Sequence, residues 1–105
     1  MSDFPDSEQE GALLTEIESE VERPKLYKVV LHNDDFTTME FVVFILHHVF
    51  LRSQAEAVAI MLKVHHEGKG IAGVYSYEVA TMKADKAMNF ARARQFPFLC
   101  TVEED

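Results

Sequence analysis

The chain has 105 residues, 48% of them hydrophobic, with 8 Phe and 3 Tyr: enough for one compact domain with a real core, too few for two. The formal net charge of −8 sits in residues 1–22, which hold eight acids and no Lys or Arg; from residue 23 onward, ten acids balance ten bases. A neutral body behind an acidic arm has nothing to grip a phosphate backbone, so a nucleic-acid partner is not expected.

No run of 18 apolar residues exists, and no basic segment precedes an apolar stretch near the N-terminus. Neither a membrane span nor a secretory signal is therefore expected. Cys100 is the single cysteine, which excludes an internal disulfide framework and fits a reducing, cytoplasmic setting.

In chain order, residues 1–24 read as a flexible acidic N-terminal extension, ended by Pro24, and residues 25–105 as the core domain. Within the extension, Leu13, Leu14, Ile17 and Val21 are either incidental apolar residues of a solvated tail or a transient helical turn that docks on a partner. Leu26 to His32 alternate as a strand, with Tyr27, Val29 and Leu31 on one face. Asn33-Asp34-Asp35 then break it, because all three favour turns closed by their own side chains.

Thr37 or Thr38 can cap a helix over residues 39–51, with Glu40 in the first turn, where the helix dipole favours an acid. Ser53 and Glu56 have capping-box spacing and start a second helix that Gly68 ends. That helix has two apolar stripes: Ala55, Val58, Ala59 and Leu62, and one phase away Ala57, Ile60, Met61 and Val64. One stripe meets the core; the other is left for the rest of the protein or for a ligand.

Residues 71–76 read as a strand and 77–95 as a helix whose seam of Ala80, Ala84, Ala87 and Ala91 allows close approach to a sheet. Pro97 breaks it, and residues 98–103 form a last strand. The order β-α-α-β-α-β predicts an α+β two-layer sandwich, a three-stranded antiparallel sheet with three helices.

Enzymatic chemistry finds little support. No Ser or Thr sits in a nucleophile elbow, and Cys100 falls inside a strand where a small core residue is expected. Gly68-Lys69-Gly70 lacks phosphate-loop spacing and reads as a helix stop followed by a turn. Adjacent histidines, as in His47–His48 and His65–His66, point about 100° apart on a helix, so neither pair chelates one ion well. No metal or other cofactor is expected.

A more suggestive grouping joins the Asn33-Asp34-Asp35 turn with Met39 and Val42 on the first helix and Met61, Val64 and His65 on the second. If the helices pack as neighbours, acceptors rim a cavity with an apolar floor, and such a cavity suits a cation carrying a bulky side chain. A peptide's free amino end beginning with Leu, Phe, Tyr or Trp offers both. On spacing alone, a plain turn beside plain core residues explains the same pattern.

Residues 27–42 (Tyr27-Lys28-Val29-Val30-Leu31-His32-Asn33-Asp34-Asp35-Phe36-Thr37-Thr38-Met39-Glu40-Phe41-Val42) resemble the signature of the ClpS family. Met61-Leu62-Lys63-Val64-His65, Gly73-Val74-Tyr75, Glu78-Val79-Ala80 with Lys83, and Leu99-Cys100-Thr101 extend the likeness over residues 25–105. The resemblance implies a non-enzymatic adaptor of the N-degron (N-end rule) pathway. Such an adaptor binds substrates through bulky hydrophobic N-terminal residues and their free α-amino group. It delivers them to the N-terminal domain of a ClpA-type AAA+ unfoldase of the ClpAP protease.

By the same resemblance, Asn33, Asp35 and His65 match the α-amino-group ligands, with Asp34 beside them. Met39 matches a gate against β-branched side chains, and Thr37, Val42, Leu46, Met61, Val64 and Leu99 match the pocket walls or their neighbours. Glu78 and Lys83 match the face that docks on the unfoldase, and the acidic arm corresponds to an extension used in hand-off. Thr38 stands where many members have proline, so a looser start to the first helix is expected. A monomer is the default. The alternatives are a generic interaction module of similar fold, such as a relative of the ribosomal stalk's C-terminal domain, and a metal-dependent hydrolase using the histidines and aspartates.

Overall fold

The computed structural model describes residues 24–105, so the expectations for residues 1–23, including the Leu13–Val21 patch, lie outside the described residues. The elements are β1 (Tyr27–His32), α1 (Met39–His48), α2 (Gln54–Glu67), β2 (Lys69–Tyr75), α3 (Tyr77–Ala93) and β3 (Leu99–Glu104). The expected order and fold class hold: three helices and one antiparallel sheet.

In the sheet, β1 lies between β2 and β3 and runs antiparallel to both. Its alternation sorts the faces. Val29 and Leu31 point into the helical layer and are fully buried, and Cys100, the cross-strand neighbour of Leu31, is buried too. Burial pushes the Cys100 thiol up to about 12, which keeps it an inert core thiol at physiological pH. One irregularity interrupts the β1–β2 ladder: Val29 pairs with Gly73 and Val30 with Ile71, leaving Ala72 as the extra residue of a bulge. Arg52 fastens this point by donating from Nε to the Ala72 carbonyl at 2.8 Å.

Thr38 caps α1 by accepting from the Phe41 N–H at 3.1 Å, so this departure from proline leaves the helix start closed rather than loose. The helix ends at His48, three residues before the expected Leu51. Val49 and Phe50 continue the apolar pattern, but both of their N–H groups bond the Ile45 carbonyl, and Leu51 turns the chain with φ 58°. Lys83 seals the exit by donating to the Val49 carbonyl at 2.8 Å. Long-range contacts, not local propensity, set this boundary.

The Ser53–Glu56 capping box is complete in both directions, and Gly68 closes α2 with φ 93°. The reading of Lys69 and Gly70 as a turn needs correction. The strand starts directly at Lys69, and Gly70 pairs with Leu31 inside the sheet. A Cβ on Gly70 would meet Val64 Cγ2 at 3.0 Å, so the missing side chain allows α2 to close on β2.

The alanine seam of α3 is buried along its whole length, at Ala80, Ala84, Ala87 and Ala91, and lies on all three strands. Ser76 is the N-cap of α3 rather than the end of β2, and Gln95 belongs to the turn after the helix. The core between the layers is completed by Phe41, Val42, Ile45 and Leu46 of α1 with Phe50 and Phe98. Residues on both sides of the α1–α2 connection are therefore fixed, which sets the spacing of these two helices.

Candidate functional site

The site grows out of the end of β1. After His32 the chain enters a turn organised by Asp34. Its Oδ1 accepts from the N–H groups of Phe36 at 2.8 Å and Thr37 at 2.7 Å, and its Oδ2 accepts from the Thr37 hydroxyl at 2.8 Å. Burial alone would raise this carboxyl, but the three donors outweigh it and hold the group below its ordinary value. The carboxylate thus stays ionised and the turn keeps one shape.

A second tie places the turn. The Asn33 N–H donates to the Gly68 carbonyl at 2.9 Å, joining the exit of β1 to the C-terminus of α2. His65 lies one turn back from Gly68 on that helix, so Asn33 and His65 are brought to the same opening. Between them is a cavity of about 350 Å³. Asn33, Asp35 and His65 stand at its exposed rim; Thr37 and Met39 form one wall, Met61 the other, with Val42 and Val64 buried beneath. Among the described residues, no hydrogen bond uses the side chain of Asn33, Asp35 or His65.

The lining carries two carboxylates and no Lys or Arg. An amide oxygen, a carboxylate and a neutral imidazole nitrogen are all acceptors, so the rim complements a small cationic donor. The Met and Val side chains below favour apolar bulk, and Met39, 45% exposed, stands at the mouth with a flexible, unbranched chain. Such a combination is chemically suited to a molecule with a cationic head and an apolar body.

Most of the grouping read from the sequence converges here, and three assignments change. Asp34 is engaged in the turn, leaving Asn33, Asp35 and His65 as the free polar groups. Leu46 is fully buried in the core and does not line the cavity. Leu99 does not line it either: it pairs with His32 on the sheet face away from the helices and is 47% exposed. Its neighbour Phe98 is the buried residue, packed edge-on against Phe41 at 5.8 Å between ring centroids. One position along a strand reverses the face.

Phe36 and Thr38 also line the cavity, which sequence reasoning had not named as walls. Their place follows from the Asp34-centred turn, whose curvature is not visible as periodicity. Glu78 is exposed in the first turn of α3, whereas the Lys83 ammonium bonds Val49 and lies 5.4 Å from the Tyr75 ring centre. The histidine pairs splay, with 85° between the His47 and His48 rings and 71° between His65 and His66. Among the described residues, no group of three or more His, Cys, Asp or Glu is placed to hold a metal ion, and no helix is long and apolar enough to cross a membrane.

Known proteins resemble this chain over most of its length. The model of the family described as ATP-dependent Clp protease adaptor protein ClpS matches residues 22–101. The ATP-dependent Clp protease adapter protein ClpS of Ruegeria sp. (strain TM1040) is 48% identical over 105 residues, covering 100% of this chain and 93% of that protein. The protein of the same name from Desulfatibacillum aliphaticivorans is 49% identical over 102 residues, covering 96% of this chain and 98% of its own length. Among solved structures, Agrobacterium tumefaciens ClpS2 bound to L-phenylalaninamide superposes with a TM-score of 0.76 at 37% identity, over 79% of this chain and 100% of that one.

Proposed function

The chain belongs to the ClpS family, whose members are adaptors of the Clp protease and not enzymes, and from this premise we propose that it is an N-degron adaptor. In this reading the substrate's N-terminal residue enters the cavity beneath the Asn33-Asp34-Asp35 turn. The single observation that carries it is one opening that joins three free acceptors, Asn33, Asp35 and His65, to an apolar floor. The liganded state of the Agrobacterium relative supports it, because phenylalaninamide pairs an α-amino group with an aromatic side chain.

Each feature then has a role. The α-ammonium donates three hydrogen bonds, to Asn33, Asp35 and His65. Charge-assisted bonds of roughly 1.5–3 kcal/mol each, with about 1.5–3 kcal/mol from burying the side chain, suffice for micromolar affinity after the cost of association. Leu, Phe, Tyr and Trp reach the floor formed by Val42, Val64 and Met61. Met39 and Thr37 narrow the mouth where a β-branched residue carries its bulk, so Ile and Val are disfavoured. Asp34 shapes the rim.

Bound substrate is then delivered to a ClpA-type unfoldase of the ClpAP protease in the cytoplasm. Glu78 supplies the exposed charge of the docking face on α3. Lys83 supports that face by fixing the Val49–Ser53 connection, and residues 1–24 engage the unfoldase during hand-off. The adaptor works as a monomer without cofactor.

The test is fluorescence anisotropy with a labelled peptide beginning with Leu, its N-acetylated twin and an Ile-first counterpart. Binding of the Leu peptide with at least tenfold loss on acetylation, and a weaker Ile peptide, is expected. Equal binding of the Leu peptide and its acetylated twin refutes the ammonium site.

A further inference from the structure

The second apolar stripe of α2 is left partly exposed among the described residues. Val58 is 37% exposed and Leu62 42%, while Ala57 and Val64 on the other stripe are buried. Val58 borders a second cavity, of about 430 Å³, in the groove between the outer faces of α1 and α2. Val43 and Phe44 form its α1 side, and Glu40, His47 and Gln54 supply polar edges. The His47 ring is oriented by its Nδ1, which lies 2.8 Å from the Arg52 carbonyl; a carbonyl only accepts, so Nδ1 carries the hydrogen there.

Met39 and Met61 line both this groove and the candidate site. The two spaces therefore share a stretch of wall made of unbranched, adaptable side chains. An occupant of the first cavity that continues past its N-terminal residue has an apolar trough beginning at the shared wall. An extended chain advances about 3.3–3.6 Å per residue, so the residues next in line are the ones able to cross Met39 and Met61 into it.

We propose that the groove is a second subsite, seating a bulky apolar side chain, aliphatic or aromatic, of the substrate's second or third residue. The inference rests on the N-degron reading and adds to it a preference downstream of the N-terminal residue. Continuity with the first cavity assigns the groove to the substrate's own chain rather than to a separate partner. The partly exposed stripe Ala55, Val58, Ala59 and Leu62 thereby gains a contact along its Val58 edge, and free acceptors at the edges meet the backbone N–H groups of an extended segment.

The experiment uses the full chain and three labelled peptides with one common tail, beginning Leu-Gly-Gly, Leu-Phe-Gly and Leu-Gly-Phe, each with its N-acetylated twin. At least one Phe-bearing peptide is expected to bind about five- to tenfold tighter than Leu-Gly-Gly, as half-burial of one such side chain predicts. In Val58→Glu, a change at an exposed helix position, that advantage disappears while the Leu-Gly-Gly affinity stays unchanged. Equal affinities of all three peptides for the unaltered protein, or a Phe advantage that survives Val58→Glu, overturns the subsite and leaves the N-degron reading standing. Indifference of all three peptides to acetylation overturns that reading, and the subsite with it.

Discussion

Replacing Asp34 with alanine separates two roles this carboxylate can have. As the organiser of the turn it accepts from Phe36 N–H, Thr37 N–H and the Thr37 hydroxyl, and Asp34→Ala removes all three bonds. At about 0.5–1.5 kcal/mol net each, discounted for a half-exposed surface turn, the loss is about 1–2 kcal/mol. With a urea m-value of about 1 kcal/mol/M for a small domain, the unfolding midpoint falls by about 1–2 M. Asp34→Asn keeps an oxygen for the two N–H groups and loses only the hydroxyl bond, so less than half of that loss is expected.

The pH dependence gives an independent check. The folded Asp34 carboxyl lies below its ordinary value. Its contribution is therefore complete above the unfolded value, about pH 4, and is lost as pH falls through the folded one. The difference in midpoint between the unaltered protein and Asp34→Ala should be constant at neutral pH and shrink below about pH 4. In anisotropy with the Leu peptide, Asp34→Ala weakens binding through the displaced rim, and Asp34→Asn restores most of it. An unchanged urea midpoint in Asp34→Ala refutes the turn-organising role. Full stability with lost binding in Asp34→Asn makes the negative charge itself a ligand of the ammonium.

Two further outcomes follow from the packing. In Gly73→Ala the new methyl collides with the Tyr75 hydroxyl, which forces Tyr75 away from Phe50 and Lys83; a loss of about 1–3 kcal/mol in urea unfolding is expected, and an unchanged midpoint refutes the close packing at the bulge. The Cys100 thiol, buried and raised to about 12, should resist iodoacetamide in the folded protein at pH 8 and react fully in urea. Rapid labelling of folded protein, followed by intact mass, would place this strand at the surface instead.

Local signals were legible where the chemistry is local. Ser53 with Glu56, Gly68 with its left-handed backbone, and the Ala80–Ala91 seam each write an element's start, stop or packing face into a few residues. Asn33-Asp34-Asp35 announced a turn, and helical spacing put Met61, Val64 and His65 on one face. What stayed hidden depends on distant partners. The end of α1 is fixed by Lys83 and by the turn at Leu51, beneath an apolar pattern that runs on through Phe50. The bulge at Ala72 exists only as a mismatch between two strands. The resemblance sets Leu99 at or beside the pocket walls, and only its pairing with His32 shows that it faces away from the helices. On turn propensity alone Asp34 is one of three equivalent polar residues, and its hydrogen bonds show that it is the one the turn consumes.

The position of β1 has a mechanical consequence. The chain enters this strand at Tyr27, and the strand delivers its other end, His32, to the rim of the cavity about 17 Å away. A pull on the N-terminal extension is thus taken up at the end of the sheet remote from the cavity. It falls on the one strand gripped along both flanks, and both ladders must yield before that strand leaves the sheet. An edge strand in its place would peel after losing a single ladder. Tension applied from the N-terminal side therefore meets a strand held along both flanks, so the rim of the cavity keeps its shape while the molecule is held by its own end.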